Sequence, residues 1–255
     1  MGRRIQNLEM KKLLLLSAMA IVAVSCGQKN KAHISGTFSG ISKDTIYLEM
    51  ITTKGVSVVD STVTNQQGNY SFAVTIPEAA PTFYNLVYKQ SRIPLIVSPG
   101  EKLKVNSMCD LRHNYTVEGS DESQLLKEFN TLYTNGVSAL DSLGNLYATT
   151  ATDSDARREK LLQEYTQHYI KIKREHIAFL VKNASSMAAV YALYQRLPND
   201  ETLFDANDSR VYYRMVADSV SKKYPASPHV IALQRDLKEM DDAAASFNTE
   251  IFSIS

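Results

Sequence analysis

Two cysteines, five histidines and fourteen tyrosines carry most of the side-chain chemistry open to this chain. Cys109 follows Met108 and precedes Asp110-Leu111-Arg112-His113. A thiol becomes reactive where neighbouring positive charge stabilises the thiolate, and Arg112 and His113 are placed to supply it. The other reading is an inert, semi-buried thiol that packs as a small hydrophobe. The histidines are His33, His113, His168, His176 and His229. Glu164 and His168 share a helix face at i, i+4, and Glu175 abuts His176, but a metal centre needs three or four converging ligands with supporting groups. His176 falls on an apolar stripe, where a hydrogen-bonded core imidazole is expected. The chain contains no His-Glu-x-x-His, Gly-x-Ser-x-Gly or glycine-rich phosphate loop, the motifs that announce zinc proteases, serine hydrolases and nucleotide binding. The expectation is therefore a chain without catalytic residues, metal or cofactor, and not an enzyme. Asp121-Glu122 and Asp241-Asp242 read as solvated or dipole-complementing charges at helix ends. Tyr165, Tyr169, Tyr191, Tyr194, Tyr212 and Tyr213 either close a core with wet hydroxyls or line a ligand groove between helices. Asp44-Thr45-Ile46, Asp60-Ser61-Thr62, Asp141-Ser142-Leu143 and Asp218-Ser219-Val220 have the short form of some O-glycan acceptors, which would require surface positions.

Cys26 is a different case. Lys11 and Lys12 precede an apolar run, Leu13 to Val24, that ends in Ala23-Val24-Ser25-Cys26. The run has 12 residues, against the roughly 20 that a helix needs to span a bilayer. An export signal over 1–25 is expected, starting more naturally at Met10 than at Met1. Ala23 to Cys26 resembles the bacterial lipobox. That resemblance implies a diacylglycerol thioether on Cys26 and usually a further acyl group on its new amine. A buried methylene contributes about 0.8 kcal/mol, so one chain holds marginally and two or three hold for good. The alternative is a plain secretory signal with an incidental cysteine. Gly27 stands where an aspartate would retain such a protein in the inner membrane, and Gln28-Lys29-Asn30-Lys31 carries no acidic run. An outer-membrane lipoprotein facing the periplasm is therefore expected. With Cys26 given to lipid, Cys109 has no partner within the chain, which excludes an internal disulfide and dithiol chemistry.

Charge and hydropathy patterning indicate what positions these residues. The formal net charge is +1, and without residues 1–25 it becomes −2. Neither value, with no clustered cations, suits nucleic acid, whose binding rests on phosphate neutralisation. From 32 to 119 the chain reads as strands. Tyr70, Phe72, Val74 and Ile76 alternate with small or polar residues, the period of a strand with one buried face. The spacing of turn signals predicts strands near 33–39, 45–52, 56–64, 69–76, 82–88, 92–98, 102–107 and 114–118, an antiparallel sandwich or barrel. Pro94 places the sixth at an edge or a bulge. After Gly119 the period lengthens. Leu125, Phe129, Leu132, Gly136, Leu140, Leu143 and Tyr147 mark one helix face, with Ser120 or Asp121 as cap. A second helix over about 154–183 carries Leu162, Tyr165, Tyr169, Ile172, His176 and Phe179. A third, near 186–197, is capped by Ser185 and ended by Pro198-Asn199. A fourth spans about 208–224 with Val211, Met215 and Val220 inward. The fifth runs from 228 to 247. The layout is α+β: signal 1–25, tether 26–31, sandwich 32–119, helices 120–247 and a tail 248–255.

The stretch from Asp60-Ser61-Thr62 to Gly68-Asn69-Tyr70-Ser71-Phe72, with Pro81 to Leu86, Ile93 to Val97 and Tyr115 to Ser120, resembles a family of uncharacterised β-rich domains. That family sits at the N-terminus of Gram-negative envelope lipoproteins, commonly ahead of helices and a thioredoxin-like domain. The similarity covers roughly 32–130, and the helices more loosely. It implies the sandwich fold. In longer relatives, oxidoreductase activity belongs to a Cys-x-x-Cys pair that this sequence lacks. Two functions are expected from these readings. The first is a non-catalytic, lipid-anchored periplasmic binding or scaffold module, able to recruit a protein partner through a sheet edge. The second is the stand-alone or truncated front part of an envelope thiol–disulfide oxidoreductase, serving redox homeostasis beside a separate thioredoxin-like protein.

Overall fold

The computed structural model describes residues 30–254 apart from 78–79, 109–113, 151–153, 198–202 and 204–209. The export signal, Cys26, and Cys109 with Arg112 and His113 lie outside the described residues, as does the expected helix stop at Pro198-Asn199.

Alternating apolar residues produce eight strands: β1 (Lys31–Ser39), β2 (Thr45–Thr52), β3 (Gly55–Val63), β4 (Asn69–Thr75), β5 (Thr82–Tyr88), β6 (Ser91–Val97), β7 (Lys102–Met108) and β8 (Tyr115–Glu118). They build two four-stranded sheets, in the orders β4-β1-β7-β8 and β3-β2-β5-β6. One core joins them, with Ile34, Phe38, Phe72 and Val105 from the first sheet and Ile46, Leu48, Tyr84 and Leu95 from the second. One pairing departs from the antiparallel expectation: β1 and β7 run parallel. Side-chain alternation has the same period for either direction, so it carries no information on this point. The direction is set by the Ser98–Glu101 turn, which delivers β7 beside the start of β1. There Gly100 N–H donates to the Lys31 carbonyl at 3.1 Å, and His33 N–H to that of Glu101 at 2.9 Å. Gly36 permits the close packing of these two strands, since a Cβ there would meet the Val105 carbonyl oxygen at 1.8 Å.

Both edges of the second sheet are informative. At β3 the edge is open, and Val56, Val58 and Val63 are each more than half exposed. At β6, where Pro94 sits, a helix covers the edge. Five helices follow the strands: α1 (Asp121–Thr149), α2 (Asp155–Lys182), α3 (Met187–Leu193), α4 (Arg210–Lys223) and α5 (Pro228–Ile254). Ser120 caps α1 by accepting from Ser123 N–H. Ser120 and Ser123 also stand in for a missing strand. Ile96 N–H donates to Ser123 Oγ at 2.9 Å, and the Ile96 carbonyl accepts from Ser123 Oγ at 2.6 Å and Ser120 Oγ at 3.1 Å. A buried backbone group without a partner is costly, and here both Ile96 groups are satisfied.

Three details of the helices differ from expectation. The cap of α3 is Ser186, not Ser185, and the helix stops at Leu193. Side chains take over its last carbonyls: His176 bonds to that of Ala192, Tyr213 to that of Leu193, and Gln195 to that of Tyr191. Val211 and Leu162 are exposed, while Tyr213, Val216 and Leu161 are buried. A stripe assigned one residue out of place turns a helix face by about 100°. The last helix continues to Ile254 rather than closing near 247, because no glycine or proline interrupts it.

The helices cover the outer face of the second sheet. Phe83 and Ile96 from that face share a core with Phe129, Phe179, Val190 and Leu233. Along α1, Ser123 meets Ile96, and Asn130 to Ser138 lie beside Pro94 and Arg92, so α1 runs opposite to β6. Its 29 residues span about 43 Å, against about 23 Å for a seven-residue strand, and α2 packs back along it. The α1–α2 pair therefore extends past the end of the sandwich. Among the described residues, no helix is long and apolar enough to cross a membrane.

Candidate functional site

Strand alternation sends Ile46, Leu48 and Met50 into the sandwich and leaves Glu49 and Ile51 on the outer face of the second sheet. The register continues that face through Phe83 beside Ile51, Asn85 beside Glu49, and Pro94 beside Asn85. The helices do not press evenly on it. Between sheet and helices runs a cleft with two lobes, whose linings share Ile51, Tyr191 and Gln195.

The first lobe is a cavity of about 350 Å³, floored by Ile51 and Phe83 and walled by Val190 and Tyr191 of α3, by Tyr194 just after it, and by His229 and Ala232 of α5. His229 packs edge-on against Phe83, with ring centroids 4.7 Å apart. Its Nε2 lies 3.1 Å from the Ile51 carbonyl, which can only accept, so this nitrogen carries the proton. Burial holds the His229 pKa below the usual imidazole value despite that bond. Tyr194 donates its hydroxyl to Asp236 Oδ2 at 2.7 Å; burial, and then the adjacent carboxylate, raise its pKa far above the ordinary phenol value. Burial also pushes Tyr191 up to about 12.

The second lobe, about 500 Å³, is more polar. Asn85, Arg92, Asn130, Tyr133, Ser138 and Gln195 contribute to it. Beneath it the buried Glu49 carboxylate accepts from Arg92 Nε at 3.1 Å, Arg92 Nη2 at 3.3 Å and Asn85 Nδ2 at 3.3 Å. The Tyr133 hydroxyl donates to the Arg196 carbonyl. Burial raises its pKa as well. The cleft tyrosines, their pKa values raised, are protonated donors at neutral pH, set among apolar walls.

Of the six tyrosines weighed as groove residues, Tyr191 and Tyr194 line the cleft. Tyr165, Tyr169 and Tyr212 pack against the helical core, and Tyr213 is buried. His176 is the core histidine expected: fully buried, 2.8 Å from the Ala192 carbonyl and edge-on to Phe129. Burial lowers its pKa to about 4. His168 is exposed on α2, and Glu164 makes an ion pair with Lys160 at 3.9 Å. Among the described residues, no three histidine, cysteine or acidic side chains group closely enough to hold a metal.

Of the acids expected at helix ends, one is buried and one forms a surface ion pair between helices. Glu122 is buried. Its carboxylate accepts from Ala188 N–H at the start of α3 and from the Tyr224 hydroxyl, both at 3.2 Å, and Lys223 Nζ lies 3.6 Å away. Asp241 accepts from Arg214 Nη2 at 2.6 and 2.8 Å, which ties α5 to α4.

Ile51, Phe83, Asn85, Arg92 and His229 were not singled out from the sequence. A signal for them exists in β5. Thr-Phe-Tyr-Asn-Leu-Val-Tyr is an almost unbroken apolar run, the mark of a strand covered on both faces. A covering layer over that sheet follows from it, and so does a seam beneath the layer.

A search of curated proteins finds no match. Residues 32–126, which hold nearly the whole sandwich and the opening turns of α1, match the family model described as a domain of unknown function, DUF4369. That match covers the β-rich part of the chain.

Proposed function

We propose that this protein is a non-catalytic binding module, tethered to the outer membrane through lipid on Cys26 and facing the periplasm, which holds its ligand between the second sheet and the helices. The two-lobed cleft carries this reading. One lobe presents Ile51, Phe83 and Val190, and the other presents Asn85, Arg92 and Gln195. A ligand with an apolar body and a polar end fits that division, because specificity in such sites comes from a few placed polar groups on apolar walls. The anchor rests on Lys11, Lys12, the apolar run and the Ala-Val-Ser-Cys ending.

The test is a thermal-shift screen of the mature chain against fractionated envelope small molecules. At least one fraction raises the melting temperature of the parent protein. In an Ala232→Phe variant, whose ring fills the first lobe, that rise is lost. A flat response across all fractions sinks the proposal.

A further inference from the structure

The two ends of the sandwich are different surfaces, and the chain fixes which one meets the membrane. Asn30 is already held by the fold, since its carbonyl accepts from Ile76 N–H at 2.7 Å. Only Gly27, Gln28 and Lys29 separate it from Cys26. Four Cα steps reach at most about 14 Å when fully extended. We infer that the Asn30 end of the sandwich faces the bilayer at close range and that the α1–α2 pair points away from it. This rests on the lipidation of Cys26 proposed above.

The partner surface is a lipid bilayer, and the register defines the face turned toward it. In the first sheet, that end holds Lys31, which pairs with Thr75, and Lys102, which pairs with His33. In the second sheet it holds the turn between Thr52 and Gly55, because Thr52 pairs with Gly55 and Ile51 with Phe83. Lys31, Lys54 and Lys102 are exposed there, beside the acidic Glu118 and Asp121. The Tyr88–Ser91 hairpin and the turn from Thr64 to Gly68 lie at the opposite end. Two consequences follow. The first lobe, with Ile51, Thr52 and Phe83 in its lining, lies at the membrane side of the molecule. The far part of the α1–α2 pair, with Leu146 and Leu162 exposed, stands well clear of the lipid.

Fluorescence quenching from the bilayer surface tests this. In the full chain carrying Cys109→Ser, single cysteines are placed at the exposed positions Lys54, Gln90 and Asn145 and labelled with a thiol-reactive fluorophore. The lipidated proteins are reconstituted in phosphatidylethanolamine–phosphatidylglycerol vesicles with a headgroup-bound quencher. The expected result is quenching several-fold stronger at position 54 than at 90 or 145, with unchanged circular dichroism. Proteins that float with the vesicles but are quenched equally at all three sites, or more at 90 or 145, overturn the orientation while leaving the anchor intact. Proteins that fail to float refute the anchor, and the orientation falls with it.

Discussion

At the scale of single residues, burial decides what His176 does to stability. Its folded pKa of about 4 lies below the ordinary imidazole value of about 6.5. Below pH 6.5 the unfolded chain therefore binds a proton that the folded chain refuses. Stability contributed by the neutral form is complete above about 6.5, declines as pH falls, and levels off below about 4. The size of the loss is about 3 kcal/mol, and His229, also depressed by burial, adds to it with the same sign. Urea denaturation at a series of pH values should show this slope. His176→Gln, which cannot titrate, should lose most of it, and an unchanged slope would contradict the account. Glu122 is the second decisive side chain. Removing its carboxylate orphans Ala188 N–H and the Tyr224 hydroxyl and leaves Lys223 without its buried partner. Glu122→Ala should cost about 2–4 kcal/mol in thermal or urea unfolding. Glu122→Gln, which keeps an acceptor for Ala188, should cost less.

At the scale of elements, the joint between β6 and α1 holds the two layers in place. Ser123 both accepts from and donates to Ile96. Ser123→Ala should therefore destabilise the protein by about 1–3 kcal/mol and speed hydrogen exchange at the Ile96 amide more than at amides inside the first sheet. The same joint shows what a sequence displays and what it hides. Tyr70, Phe72 and Val74 announce β4 because a half-buried strand must alternate, and all eight strands begin and end within two residues of the positions read from that rule. Pro94 placed β6 at an edge or a bulge because proline cannot donate to a ladder, and β6 is an edge strand. The parallel β1–β7 pairing stayed hidden, since it depends on where the Ser98–Glu101 turn delivers the chain. Helix faces at Leu162 and Val211 were misjudged because apolar residues at adjacent positions allow more than one stripe. The cleft was half legible. Tyr191 and Tyr194 stood out by type, whereas Ile51, Phe83 and Arg92 acquire meaning only when the helices fold back over the second sheet. Glu122 stands in the first turn of α1, where an acid complements the helix dipole, but its burial against α3 stayed hidden, because nothing local distinguishes a solvated acid at a helix start from one that caps a distant helix.

At the scale of the whole molecule, the sandwich and its helical cover form one layered arrangement. A cleft opens along the outer face of the second sheet, and a helical pair extends beyond the far end of the sandwich; on the proposed anchor, the Asn30 end stands nearest the lipid. The central claim is that the cleft is where this protein meets its ligand. Hydrogen–deuterium exchange of the mature protein, with and without an envelope fraction that raises its melting temperature, tests that claim most directly. The account predicts a protected footprint on the end of β2, the start of β5, α3 and the first turns of α5. Protection confined to the open β3 edge or the α1–α2 pair, with the cleft amides unchanged, would contradict it.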